Sequence, residues 1–432
     1  MILYDHFGVN EKGHLTIGGA DATELAKEFG TPAYILDENV IRENCRTYLS
    51  AARKYFGEDA LPLYASKALC FTGIYKIAAE EGLGVDCVSS GEIFTAARAG
   101  FPTEKIYFHG NNKTDDDVCF AMDKGVGTFV VDNKEELRAI SLEAGRRGIT
   151  QRILLRITPG IDPHTHRAIM TGNVDSKFGC AIVTGQAMDM VKLALATKNV
   201  DLAGLHCHIG SQIFDIEPFS DAADIMVRFI GDIEKECGYT VRELNLGGGL
   251  GVKYTEFDRD IDYADAIRQI AEVVTSFCQK NGVKMPKVIL EPGRSLVAAA
   301  GATLYTVGSV KTIPEFRTYV SVDGGMPDNP RYALYSSQYT AVIANKANEE
   351  RTLRATIAGR CCESGDLIGE NMEIQNAERG DILAVLVTGA YNHSMASNYN
   401  RLPRPPIVMV KDGVARLAVR RESFEDLCRN DV

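Results

Sequence analysis

A chain of 432 residues, 45% hydrophobic and 24% charged, has the composition of a folded globular protein and is long enough for more than one core. Its formal net charge of −11 disfavours nucleic acid or anionic membrane as a partner, yet leaves room for a small anion held by a local arginine cluster. No apolar run reaches the roughly 18 residues of a membrane span, and the opening MILYDHFGVNEKG has no apolar core of a secretory leader. The eleven cysteines show no C-x-x-C pair, so they are expected to be reduced thiols of a cytoplasmic protein.

From residue 61 onward, short apolar runs alternate with longer helical patterns. The runs are LPLYAS (61–66), GVDCVS (84–89), KIYFH (105–109), TFVVD (128–132), RILLRI (152–157), LAGLHCH (202–208), ELNL (243–246) and VILE (288–291). Nearly continuous apolar runs suit parallel strands covered on both faces. Between them Thr72–Glu81, Ser90–Gly100, Lys134–Arg147 and Pro218–Glu236 mix an apolar stripe with charges, as amphipathic helices do. Eight βα units predict a (β/α)8 barrel over residues 33–294, with its site at the C-terminal strand ends. After about residue 295 the texture changes. RTYVSVDGG, YTAVIANK, TLRATIAG, DILAVLV and IVMVKDGVARLAVR read as β-branched strands between polar turns, hence a mostly antiparallel β domain. Residues 1–32, too short to fold alone, are grouped with 295–432 in that domain.

Polar residues cluster at the predicted strand ends. Lys67 follows the first, Asp86 lies in the second, His109 ends the third, Arg156 lies in the fifth and His208 ends the sixth. Gly247-Gly248-Gly249 follows the seventh, and Glu291-Pro292-Gly293-Arg294 closes the eighth. Barrel interiors are normally filled by Val, Ile and Leu, so this distribution points to a site. A single lysine is usually a solvated charge, but Lys67 in YASKALC has small or apolar neighbours, and a desolvated amine is nucleophilic enough to condense with an aldehyde cofactor. A glycine cluster is commonly only a tight turn. After the seventh strand of a barrel its N–H groups suit a phosphate. Glu291 reads either as a plain ion-pair partner or as a carboxylate that keeps a pyridine nitrogen protonated. His206 and His208 share a strand face and invite a zinc reading, but no further ligands stand at recognisable spacing, so no metal is expected. His164 and His166, in PGIDPHTHR, are read as solvated or ligand-covering. Cys361 and Cys362 read as buried core thiols or, given the polar Glu363-Ser364-Gly365-Asp366 that follows, as a source of a thiol acid.

Taken together, YASKA (64–68), DCVSSGE (86–92), HGNNK (109–113), HCHIGSQ (206–212), LGGGLG (246–251), EPGR (291–294), DNPRYALY (328–335), CESGD (362–366) and GAY (389–391) carry a resemblance. The chain resembles the alanine-racemase-fold group of pyridoxal-phosphate enzymes and, within it, the diaminopimelate decarboxylase family, over nearly its whole length. That resemblance implies the decarboxylation of meso-2,6-diaminopimelate at its D-centre to L-lysine and carbon dioxide. It implies pyridoxal 5′-phosphate bound through Lys67, with Asp86, Gly248 and Gly249 around it. His208 would stack on the ring, Ser211 would lie near the phosphate, and Glu291 would meet the pyridine nitrogen. Gly249, Gly293 and Arg294 would hold the phosphate. Tyr391 would touch cofactor and substrate, while Arg294, Arg331, Tyr335 and Glu363 would hold the substrate. Cys362 would donate a proton, and with Glu363 would arrive from the partner subunit of a head-to-tail homodimer.

The same resemblance leaves three other activities to weigh. A decarboxylase of ornithine or arginine has a substrate without a distal carboxylate for Arg331. A racemase of the alanine type favours an arginine where Glu291 stands. A non-catalytic pyridoxal-phosphate-binding protein lacks the β domain.

Overall fold

The computed structural model describes residues 3–161 and 175–432 and divides into two compact units. One is Cys45–Gly251 with Ile261–Gly293; the other is Met1–Asn44, Val252–Asp260 and Arg294–Val432. No helix among the described residues is long and apolar enough to cross a membrane.

The first unit is the expected barrel. Strands Leu61–Ala65, Gly84–Cys87, Ile106–Phe108, Thr128–Val131, Gln151–Thr158, Val200–His206, Glu243–Asn245 and Lys287–Leu290 pair in parallel and in sequence order. The ring closes where Ile289 pairs with Leu61 and Leu290 with Pro62. All eight match the sequence reading to within two residues at each end. Their apolar runs are buried throughout, as in Gly84–Cys87 and Thr128–Val131, because helices cover one face and the barrel interior the other. Leu63, Tyr107, Val130, Leu154, Ala203 and Ile289 meet in that interior.

Helix Lys134–Arg147 shows how local chemistry sets the outer layer. The Asn133 side chain accepts from the Glu136 N–H at its start, and Gly148 ends it at φ 66°, a left-handed conformation that suits glycine. Helices Asp115–Asp123, Gln186–Ala196 and Tyr263–Asn281 also belong to this unit and were not singled out in the sequence. At the N-terminal end of the strands, Glu243 is buried but paired with Arg152 at 2.7 Å and Lys287 at 3.4 Å. A satisfied ion pair there is structural.

The second unit is a mostly antiparallel sheet. Its main path runs Leu367–Ile374, Leu353–Ala358, Arg317–Val322, Gly301–Ile313, Ala33–Asp37, Ile407–Lys411, Val414–Val419. Two of those pairings are parallel, Arg317–Val322 with Leu353–Ala358 and Ala33–Asp37 with Ile407–Lys411. A small sheet of Phe7–Val9, Leu15–Ile17 and Ala20–Asp21 belongs to the same unit. The division differs from the boundary drawn at residue 33. Ala33–Asp37 is buried at all five positions, which suits a barrel strand equally well, but its backbone pairs with Gly301–Ile313. Gly301–Ile313 itself lacks a simple pattern, since its first half is buried and its second half largely exposed.

Candidate active site

In the barrel unit the expected residues gather at the C-terminal strand ends. Lys67 sits in a short 3-10 turn, Ser66–Ala68, directly after the first strand. Its ammonium lies 3.3 Å from Asp86 Oδ2 on the neighbouring strand, and Ser66, Ala68 and Leu69 beside it are buried. The Lys67 side chain keeps 39% of its exposure, so its desolvation is partial. Asp86 is buried, and its Oδ1 has no hydrogen-bond partner among the described residues.

Glu291, just past the last strand, is the most heavily engaged group. Its Oε1 accepts from Asn245 Nδ2 at 2.6 Å, and its Oε2 lies 3.2 Å from His206 Nε2. His109 Nε2 comes within 2.8 Å of Oε1. Burial alone would push this carboxyl up, but the two imidazoles outweigh it and hold it well below the usual carboxylate range. Burial lowers His206 to about 4, so at neutral pH it is an uncharged ring. His208 is also pushed well below its ordinary value, by burial and then by the positive Lys67 and Arg156. A neutral imidazole offers a flat face for stacking.

The turn after the seventh strand needs its glycines. A Cβ on Gly248 would lie 2.0 Å from the Glu291 carbonyl oxygen, and one on Gly249, at φ 126°, would lie 2.2 Å from that of Gly210. The Gly248 N–H donates to His208 Nδ1 at 3.4 Å. Gly293 packs against Ala65 and Ala68, where a side chain would meet Ala65 Cβ at 2.9 Å, so it borders the Lys67 turn. Ser211 follows on the half-buried loop after the sixth strand. Arg156 is half-buried and stacks its guanidinium 4.2 Å over Phe178.

In the sheet unit a second constellation forms. The Arg294 guanidinium lies 4.7 Å over the Tyr391 ring and donates to Tyr254 Oη at 2.7 Å. Arg331 is buried at the start of helix Arg331–Tyr335 and lies 5.1 Å over Tyr335 and 5.5 Å over Tyr391. Among the described residues its Nε has no hydrogen-bond partner and no carboxylate pairs with it. Cys362, Glu363, Ser364 and Gly365 are exposed, whereas Asp366 is buried. The Cys362 N–H donates to Asn400 Oδ1 at 2.9 Å, and Asp366 Oδ2 accepts from the Cys361 N–H at 2.6 Å. Burial and then Asp366 raise the Cys361 thiol to about 12. Cys362 is therefore the accessible thiol of the pair.

The sequence reading located Lys67, Asp86, Glu291 and the glycine turn, and three details differ. His208 stands two residues beyond the sixth strand rather than at its end, because the ladder stops at His206. His206 does not combine with His208. It meets His109 and Glu291, the group among the described residues whose ligand atoms lie close enough to share an ion. Asn245, Tyr254 and Tyr339, whose ring meets that of Tyr254 edge to face at 5.3 Å, were missed. A polar amide inside the run ELNL, two residues before the glycine turn, was the signal available for Asn245. His164 and His166 lie outside the described residues.

Comparison with known proteins agrees with this geometry. The family described as pyridoxal-dependent decarboxylase, pyridoxal binding domain, matches residues 41–298. Diaminopimelate decarboxylase of Halalkalibacterium halodurans is 46% identical over 100% of this chain and 98% of its own, and that of Bacillus subtilis is 44% identical with the same coverage. A crystal structure of diaminopimelate decarboxylase from M. jannaschii in complex with L-lysine superposes with TM-score 0.91 at 35% identity, covering 100% of this chain and 99% of that one. With its closed eight-stranded barrel, strand-end lysine and buried Glu291, the chain belongs to the pyridoxal-dependent decarboxylase family, among the diaminopimelate decarboxylases.

Proposed function

We propose that this chain is a carboxy-lyase that removes the D-centre carboxylate of meso-2,6-diaminopimelate, giving carbon dioxide and L-lysine, with pyridoxal 5′-phosphate as cofactor. When bound, that cofactor supplies an aldehyde for the substrate amine and a ring that takes up the electron pair left by departing carbon dioxide. The barrel residues fit it. Lys67 is a partly exposed amine at a strand end, Glu291 is an ionised acceptor suited to a ring N–H, and His208 is a neutral flat ring. Asp86 steadies the Lys67 ammonium. Gly248, Gly249 and Gly293 leave backbone approachable for a phosphate, with Ser211 and Arg294 as further donors. Only Pro292 and Gly293 separate Glu291 from Arg294, so the chain itself keeps these two within about 11 Å.

The observation that carries the substrate assignment is Arg331. It is a buried guanidinium with an unsatisfied Nε and no carboxylate partner among the described residues, an arrangement that costs free energy unless an anion completes it. Diaminopimelate brings a second carboxylate to its far end; ornithine and arginine do not. Tyr335 and Tyr391 flank that carboxylate position, Glu363 takes the distal ammonium, and the exposed Cys362 hands a proton to the carbon that loses carbon dioxide. We further propose that Cys362 and Glu363 serve a second copy of the chain in a homodimer. Eleven free thiols suit a cytoplasmic setting.

The test is carbon dioxide release by the purified holoprotein from meso-diaminopimelate, ornithine and arginine in parallel. A site that pairs Arg331 with a carboxylate should favour diaminopimelate by about 100-fold or more in kcat/KM. Equal or faster turnover of ornithine or arginine overturns the assignment.

A further inference from the structure

Glu291 is held in an unusual way for a carboxylate whose task is to face a ring nitrogen. An ionised carboxylate offers about four lone-pair positions. Asn245 Nδ2, at 2.6 Å, and His109 Nε2, at 2.8 Å, both approach Oε1, while His206 Nε2 approaches Oε2 at 3.2 Å. The His109 approach is close but too oblique for a full hydrogen bond, so Asn245 and His206 are the aligned donors. His206 Nδ1 is buried with no partner among the described residues. A proton there would be an unsatisfied donor, so the proton belongs on Nε2, pointing at the carboxylate. The rings of His109 and His206 meet edge to face at 4.7 Å, which fixes both in place.

Asn245 occupies one lone pair of Oε1, His109 crowds the other without a full hydrogen bond, and His206 occupies one of Oε2, so the open acceptor position lies on Oε2. We infer that Asn245, His206 and, more weakly, His109 are positioning residues that lock Glu291 as an acceptor-only carboxylate with a single free lone pair, so that it selects a cofactor carrying an N–H on its ring. The inference rests on the cofactor reading above and deepens it. Without these donors the buried carboxyl could take up a proton and turn from acceptor to donor, and recognition of the ring nitrogen would be lost. The three side chains come from three different strand ends, the third, sixth and seventh, and none needs to touch substrate.

The test compares binding of two probes to the full chain stripped of cofactor: pyridoxal 5′-phosphate and its 1-deaza analogue, in which carbon replaces the ring nitrogen. The wild type should prefer the nitrogen-bearing probe by about tenfold or more, the ratio expected of one charge-assisted hydrogen bond. His206→Phe and Asn245→Leu should each cut that preference to below about threefold while both probes still bind. His206→Gln, which keeps an N–H donor, should retain most of it. Should His206→Phe fail to fold, Asn245→Leu with Asn245→Gln carries the same comparison, because Asn245→Gln keeps an amide donor and Asn245→Leu does not.

An undiminished preference in the donor-removing variants, or equal binding of both probes by the wild type, overturns the inference. So does a stoichiometric metal ion in the purified protein that is lost in His206→Phe, since the imidazoles would then serve an ion. If the wild type binds neither probe, it is the cofactor reading that fails.

Discussion

Arg331 and Glu291 are opposite solutions to burying a charge. Glu291 is surrounded by donors, whereas Arg331 rests on the faces of Tyr335 and Tyr391 and its Nε has no partner among the described residues. A buried cation without a partner is destabilising unless an anion arrives, so substrate binding should supply what folding does not. Arg331→Ala removes a charge-assisted contact worth about 1.5–3 kcal/mol. It should lower kcat/KM for meso-diaminopimelate by roughly 10- to 150-fold, mainly through KM, and change residual action on ornithine far less. Steady-state kinetics on both substrates checks this, and equal losses would make Arg331 structural. Residues such as Lys67 and Glu291 were legible in the sequence because each stands at the end of an apolar run where a barrel places no charge. The grip on Glu291 was not legible, because it depends on which residues of the third, sixth and seventh strands reach the same height. Register between strands is written in long-range pairing rather than in any local pattern.

Two loops of the sheet unit are anchored by buried carboxylates. Asp328 accepts from Tyr305 Oη at 2.5 Å and from the Gly325 N–H at 3.1 Å, and Asp366 accepts from the Met326 N–H at 2.5 Å. A Cβ on Gly359 would strike Asp366 Oδ2 at 2.2 Å, so glycine there lets the loop bearing Cys362 close onto its anchor. Burial, eased by the Tyr305 hydroxyl, raises Asp328 from its ordinary value to about 7. An acid whose pKa is higher in the folded than in the unfolded state contributes stability that is fully present below about pH 4 and is lost as pH rises through 7. A rise of this size corresponds to at most roughly 2–4 kcal/mol. Asp328→Asn, which stays neutral, should therefore flatten the decline in stability between pH 4 and pH 7 relative to the wild type. Urea unfolding at several pH values checks the slope, and parallel curves for the two proteins would contradict it. At this scale the barrel strands were readable because continuous burial gives continuous apolar runs. The sheet unit was less so: Gly301–Ile313 changes from buried to exposed halfway along, and Ala33–Asp37 carries a pattern that two different sheets would accept.

Over the whole molecule, the barrel unit carries Lys67 and the buried carboxylate Glu291, and the sheet unit carries Arg294, Arg331, Tyr335, Tyr391 and the exposed Cys362. The exposure of Cys362 and Glu363 suits residues offered to a second copy of the chain. The central claim is that Lys67 and Cys362 serve one reaction from different subunits of a homodimer. It is tested most directly by mixing inactive Lys67→Ala protein with Cys362→Ala protein, with two affinity tags to demonstrate subunit exchange. Half of randomly assembled dimers are hybrids, and each hybrid holds one site with both native residues, so about a quarter of wild-type activity should return. A fully exchanged mixture whose activity is only the average of the two parents measured alone would contradict the shared site and assign Cys362 to its own chain or to no part in the reaction.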